Sequence, residues 1–313
     1  KPPGLMAAAA AACPTAAALA WGSYLLLRHG RPRWLLPADF ARWSALNQMC
    51  WAQNLTSFAH SIASVSILLA AIATDPALRR AGLGPYASSR ASIGVGLSLG
   101  YFAFALPWSI HLYFCRGARL PYTSLSLCAH HALVTLAEAT YLLTHYLPWH
   151  GALAIILMEL TNWFYLPHVL LKQLGAAGGR SWLLLGVLFV GSFVGCRVVG
   201  CTYLAVSVAV DLARFRTHDA TSAASLCVLA GCFYALLLLS YYWFVAQVVP
   251  QTHAALKALL GDAYLVWCCP APLQAWLARH STEARRRRQE VAKQLQLMRE
   301  LKEENACAEA SSC

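Results

Sequence analysis

Residues 128–162 read CAHHALVTLAEATYLLTHYLPWHGALAIILMELTN. Two apolar segments, each long enough to cross a bilayer, meet at a short turn, and within them lie His130, His131, Glu138 and Glu159. Ionisable side chains are costly in lipid, so they face the protein interior or a wet cavity and mark a functional site by default. The stretch therefore predicts membrane-spanning helices with a site inside the bilayer.

The composition extends this prediction to the whole chain. Hydrophobic residues make up 59% of the 313 residues and charged residues only 12%, against roughly 25% charged in soluble domains. Apolar segments separated by short loops predict an all-α, multi-pass helical membrane bundle of about seven transmembrane helices. The expected spans are Ala7–Leu27, Trp51–Ala73, Ala91–Phe114, Tyr122–Tyr146, Gly151–Lys172, Ser181–Val210 and Ser222–Val249.

Four regions follow from this pattern. Residues 1–50 hold the first span and a basic connector, 51–249 the six-helix core, 250–279 an amphipathic interfacial segment, and 280–313 a basic, charged, solvated helix and tail. Lys and Arg are more frequent in the segments predicted on the same side of the membrane as the C-terminal tail. The positive-inside rule places that side in the cytosol or the matrix of an organelle.

The net charge of +11 points to anionic lipid headgroups as partners. Nucleic acid is not expected, because no folded basic soluble module is visible. The 12 cysteines lie mostly in apolar segments without C-x-x-C spacing, so neither a zinc site nor a disulfide scaffold is indicated.

Polar residues on the second span form a stripe. Gln53, Ser57, His60 and Ser64 recur at helical spacing, so this face should contact protein rather than lipid. Either small polar groups pack the helices here, or His60 belongs to a site-lining face.

The fourth and fifth spans carry the other candidate residues. His131 and Glu138 share a helical face at i, i+7, and Glu159 and Asn162 share one at i, i+3. His60, His130 and His131 should lie near one depth, counted from the ends of their spans. Arg197, buried in the sixth span, should have Glu138 or Glu159 as its counter-ion.

Three readings of this cluster remain open. It is a structural polar core, a polar cavity for a lipid headgroup or an activated acyl group, or a metal site. The metal site is the least favoured of the three, because membrane di-iron enzymes use H-x-x-H-H clusters that this chain lacks. In an enzyme, His130 and His131 are the catalytic candidates, as a general base oriented by a carboxylate or as a transient acyl carrier.

Motifs between Trp51 and Val249 resemble the TLC-domain family of ceramide synthases and their non-synthase relatives. The matching motifs are Ser57-Phe-Ala-His60, Gly100-Tyr-Phe-Ala-Phe104, His130-His131, Glu159-Leu-Thr-Asn162, Arg197 in its apolar setting and Tyr242-Trp-Phe244. Ceramide synthases usually carry His-Asp-x-x-Asp where this chain has Met158 to Asn162, and the second acid is lost. Ala105 and Gln247 also replace a frequent Asp and a basic residue, so the chain is more similar to the non-synthase branch.

The resemblance implies a protein that binds a lipid in a cavity lined by His60, Glu138, Glu159, Asn162 and Arg197, and that influences membrane lipid composition. One alternative is an acyltransferase with acyl-CoA as co-substrate and otherwise no cofactor. Another is a non-catalytic subunit of a membrane complex, with partners docked on the C-terminal helix. The family implies the endoplasmic reticulum, and a mitochondrial or other organelle membrane stays open.

Overall fold

The computed structural model describes residues 40–115, 125–215 and 219–253, together with Gly22 and Pro37. Within these ranges the regular structure is helical. The α-helices are α1 Ala45–Thr74, α2 Pro76–Arg80, α3 Ser89–Ile110, α4 Leu125–Thr144, α5 Pro148–Glu159, α6 Asn162–Gln173, α7 Arg180–Ser192, α8 Cys201–Arg214 and α9 Ala220–Trp243. Three π-helical segments continue or join them, at His111–Cys115, Phe193–Gly200 and Phe244–Val248, and a 3-10 turn spans Phe40–Arg42.

Five stretches are long and apolar enough to cross a membrane, which confirms the multi-pass helical class. They are Asn47–Thr74, Ser89–Phe114, Pro148–Gln173, Arg180–Arg214 and Ala220–His253. Helix α4 has the length of a span, but its two histidines and Glu138 lower its mean hydropathy, and it is not one of the five. The count of seven spans is therefore not confirmed. The predicted first span, apart from Gly22, and the tail from residue 254 onward lie outside the described residues.

Helix α1 begins at Ala45, six residues before the predicted span. Ser44 caps it, because its side chain accepts a hydrogen bond from the backbone N–H of Asn47 at 3.3 Å. The polar stripe of α1 faces protein, as expected, and α3 is its partner. Trp108 donates to Gln53 at 2.7 Å, and His60 contacts Ser98 at 3.3 Å.

The fifth predicted span begins at Pro148 and is interrupted between α5 and α6, where Leu160 and Thr161 form a turn. In an uninterrupted helix the Met158 carbonyl would accept from the backbone N–H of Asn162. Here Arg197 and Thr161 donate to that carbonyl instead. A side chain from another helix therefore stabilises the interruption.

Two of the three apolar clusters in the described residues have a polar layer between them. One cluster contains Ala52, Phe104 and Val134, and the other contains Val65 and Tyr141 among its members. His60, Ser98 and Glu138 lie between the two clusters in the order of the chain. The packing of α1 along α3, α5 and α6, and of α3 along α4, brings these groups to one level of the bundle.

Candidate functional site

The polar layer contains a chain of hydrogen bonds that links three helices. Ser98 on α3 donates to Glu138 Oε1 on α4 at 2.6 Å, and His60 Nε2 on α1 lies 3.3 Å from the same Ser98 Oγ. A serine hydroxyl has one proton, so Ser98 accepts from His60. This assigns the proton of neutral His60 to Nε2 and leaves Nδ1 without one.

On the other side of the imidazole ring, His60 Nδ1 lies 3.9 Å from Glu159 Oε2 on α5, which is beyond hydrogen-bond distance. Asn162 donates to that same oxygen at 2.9 Å. His60 and Glu159 are both buried, with 7% and 4% of their surface exposed.

All three predicted histidines surround one aromatic ring. The ring centroids of His60, His130 and His131 lie 5.6, 6.0 and 5.3 Å from that of Phe102, so the structure brings the three together. Tyr101 stacks on His60 with 4.1 Å between centroids. The motif around Tyr101 and Phe102 therefore supplies the aromatic rings against which the three histidines pack.

Arg197 lies in the π-helical segment between α7 and α8, a distortion that often marks functional sites. Its Nε and Nη2 donate to the Met158 carbonyl at 3.1 and 2.7 Å, and Nε donates to Thr161 Oγ1 at 3.0 Å. Of the two carboxylates expected as its counter-ion, Glu159 directly follows Met158 in α5. A cation at the end of α5 is also favourable with respect to the helix dipole.

A cavity of about 80 Å³ lies beside this layer. Its walls are almost wholly apolar, with α4, α5, α8 and α9 contributing most of the side chains. Three predicted site residues line it: His130, Glu138 and Glu159. Glu138 Oε2 is buried and has no hydrogen-bond partner among the described residues. An apolar pocket with a few converging polar groups is the usual form of a ligand site.

The two adjacent histidines have different surroundings. His130 lines the cavity, whereas His131 is not part of the lining and its Nδ1 lies 3.0 Å from Ser109 Oγ. Catalysis by a histidine in this cavity would thus use His130 first. The remaining predicted residues do not line the cavity. His60 and Asn162 lie beside Glu159, and Arg197 donates to the Met158 carbonyl at the end of α5.

Ser98 was not predicted, although it connects His60 to Glu138. A serine in a Gly- and Ser-rich span has no distinguishing signal, because its ordinary role there is close helix packing. Tyr141 and His150, which line the cavity, were likewise not predicted as site residues. Across the described ranges, no three His, Cys, Asp or Glu side chains lie close enough to hold a metal ion.

At the opposite end of the cavity, here called the turn end, α4 meets α5 through His145–Leu147, beside the segment 75–88. Asp75 accepts hydrogen bonds from Tyr86 at 3.0 and 3.1 Å. Burial raises the pKa of Asp75, but hydrogen bonds from Ser88, Tyr86 and backbone N–H groups outweigh it and lower the pKa below its ordinary value. Burial and the bond to Asp75 raise the pKa of Tyr86.

A bundle of membrane-length helices around a buried layer of histidines and carboxylates defines an integral, multi-pass membrane protein. The comparison with protein families agrees: the model described as TLC domain matches residues 50–248. Because this match covers more than half of the chain, the protein belongs to the TLC-domain family, as its motifs predict. No curated protein and no solved structure matches the chain.

Proposed function

We propose that the protein binds a single-chain lipid inside the bundle, with the hydrocarbon chain in the cavity and the polar group beside His130, Glu138 and Glu159. The observation that carries the proposal is the cavity itself, which has apolar walls and ends at this cluster. Such a site favours a molecule that is apolar along its length and polar at one end.

Size favours a single chain. A water-sized group occupies about 10–15 Å³ by this measure, so about 80 Å³ holds about five to eight such groups. Two acyl chains of a phospholipid would not fit within the enclosed part. Glu138 Oε2, buried and unpaired within the described residues, would accept a hydrogen bond from a ligand hydroxyl, amine or acid group.

Mass spectrometry of lipids that co-purify with the protein tests this proposal. Ala137→Phe places a ring in the cavity lining, whereas Ala132→Phe makes the same change on an exposed face of the same helix. We expect a single-chain lipid in the wild-type protein and in Ala132→Phe, and its loss in Ala137→Phe. Equal lipid content in the two variants would refute the assignment to this cavity.

Acyl transfer is the second candidate, and the position of His130 favours it. His130 lies in the cavity lining with Glu159, the arrangement that a general base or acyl carrier needs. Purified protein would then transfer the acyl group of acyl-CoA to a long-chain amine. His130→Asn should abolish turnover, whereas His131→Asn, changed outside the lining, should retain part of it. Turnover that persists in His130→Asn would refute the catalytic role of His130.

The cellular setting belongs to the same proposal. The Glu-x-Thr-Asn form of the motif at Glu159 supports a place in the non-synthase branch, with an influence on membrane lipid composition. The family and the distribution of Lys and Arg support the endoplasmic reticulum with the C-terminus in the cytosol. Glycosylation sites engineered into the tail would report the side: an unmodified tail is expected, and a glycosylated tail would reverse the orientation.

A further inference from the structure

We propose that the turn His145–Leu147 is a gate, through which ligand and small solutes reach the cavity from the turn end. This inference rests on the proposed lipid cavity for the identity of its ligand, but the gate itself has an independent test. Three observations carry it: the backbone of the turn, two polar latches across it, and the burial of the other end.

The turn has an unusual backbone. His145 and Leu147 have φ angles of 58° and 55°, in the left-handed region that bulky side chains rarely adopt. Two backbone hydrogen bonds hold this conformation: Tyr86 N donates to the His145 carbonyl at 3.0 Å, and Leu147 N donates to the Leu83 carbonyl at 3.2 Å. Strained segments of this kind occur at clamps and switches, because the surrounding contacts must maintain them.

The first latch joins the turn to the start of α9. Tyr146 Oη donates to Ser222 Oγ at 2.5 Å, and Ser222 Oγ donates to Asp219 Oδ2 at 2.8 Å. Tyr146 lines the cavity, and Asp219 is exposed. The latch therefore runs from the cavity wall to solvent-accessible surface.

The second latch joins α5 to α8 at the same end. His150 Nε2 lies 3.3 Å from Asp211 Oδ2 and 3.4 Å from Ser207 Oγ. His150 lines the cavity and is buried, whereas 39% of the Asp211 side chain is exposed. Here too, a polar contact runs from a residue of the cavity lining to a partly exposed side chain.

The histidine end of the cavity is closed differently. Glu138 and Glu159 are 3% and 4% exposed there, and the groups behind them, Ser98 and His60, are 0% and 7% exposed. Opening that end would unpair buried ionisable groups, which is costly. Opening the turn end breaks the two backbone hydrogen bonds of the turn and the two latches, whose outer partners Asp219 and Asp211 are accessible to solvent. It separates one buried ionisable side chain, His150, rather than two buried carboxylates, so it is the easier route.

Oxidation of Met158 by hydrogen peroxide measures access to the cavity without a lipid. Met158 lines the cavity, whereas Met49 is similarly buried but lies outside the lining, so Met49 is the internal control. Peroxide transfers one oxygen atom to the thioether, giving the sulfoxide and water, and mass spectrometry quantifies each site.

Tyr146→Phe removes only the hydroxyl of the first latch. Losing one net hydrogen bond raises the open fraction about fivefold, so the oxidation rate of Met158 should rise about fivefold while that of Met49 does not change. Ser222→Ala should act in the same direction. Tyr234→Phe is the matched control, because its hydroxyl donates to the Ala205 carbonyl at 3.0 Å between α9 and α8, away from the turn.

An unchanged Met158 rate in both latch variants would overturn the gate, and so would an equal rise in Tyr234→Phe or at Met49. Saturating octanoic acid, whose eight carbons match the about five to eight groups that the cavity holds, should protect Met158 of the wild-type protein from peroxide. Absence of protection would count against the lipid proposal alone, since the comparison of latch variants still decides the gate.

Discussion

Replacing Arg197 by methionine tests how the buried polar layer is stabilised. Arg197 is 5% exposed and donates three hydrogen bonds to Met158 and Thr161 at the interruption of the fifth span. Methionine keeps an unbranched apolar stem, so the variant removes the guanidinium with little change in packing. The Met158 carbonyl then loses two donors, and Glu159, the next residue, loses a nearby cation.

The expected cost follows from these contacts. Leaving a buried carbonyl without its donors typically costs about 1–3 kcal/mol, and more where a buried charge on Glu159 also loses a nearby cation. The second variant, Glu159→Gln, removes that charge. The double variant should therefore be more stable than the sum of the two single changes predicts, with a coupling energy of about 1–3 kcal/mol.

Thermal and denaturant unfolding of the purified protein in one detergent measures all four forms of this cycle. His131→Asn provides a control, since it changes another buried histidine of the layer. Additive effects of Arg197→Met and Glu159→Gln would refute the reasoning, because the carboxylate would then not depend on the arginine. A cost below about 1 kcal/mol for Arg197→Met would refute it as well.

Two further predictions concern packing and pH. A Cβ on Gly94 would lie 2.9 Å from Leu68 Cγ and Cδ2, so Gly94→Ala should lower the free energy of unfolding by about 1–3 kcal/mol. Gly231→Ala, with no atom within 4 Å of its Cβ, should be neutral or stabilising. Similar losses of stability in the two variants would contradict this. The pKa of Asp75 is lowered on folding, so its contribution is present above its unfolded pKa, about 3.9, and is lost as the pH falls through the folded value. The unfolding temperature of Tyr86→Phe should therefore fall less between pH 7 and pH 3 than that of the wild-type protein. Equal decreases would exclude the hydrogen bond from Tyr86 as a cause of the lowered pKa of Asp75.

Hydrophobic runs predicted the helical class and most span boundaries, because the bilayer constrains length and polarity so strongly. The third span was expected at Ala91–Phe114 and is observed at Ser89–Phe114. The start of α1 was placed too late, because Asn47 and Gln48 resemble a polar connector while Ser44 is the actual cap. The interruption at Leu160 and Thr161 had no local signal, since Arg197, whose side chain stabilises it, is distant in sequence.

The candidate site was predictable as a set of residue types, but not in its arrangement. His131 was placed on one face with Glu138, and with about 100° per residue an ideal helix puts the two only about 20° apart. The cavity faces Val134, Ala137 and Tyr141 as well, so Glu138 lies at the edge of the lining and His131 falls beyond it. Which side of a helical face meets a cavity depends on the neighbouring helices, and one sequence does not contain that information.

The central claim is that a single-chain lipid occupies the cavity with its polar group beside His130 and Glu138. An experimental density map of the protein in lipid nanodiscs, at a resolution that separates side chains, tests it most directly. The account predicts one continuous tube of density between the walls formed by Val134 and Leu204, ending within hydrogen-bond distance of Glu138 Oε2. A cavity filled by repacked side chains, or two-chain density outside the bundle with an empty cavity, would contradict it.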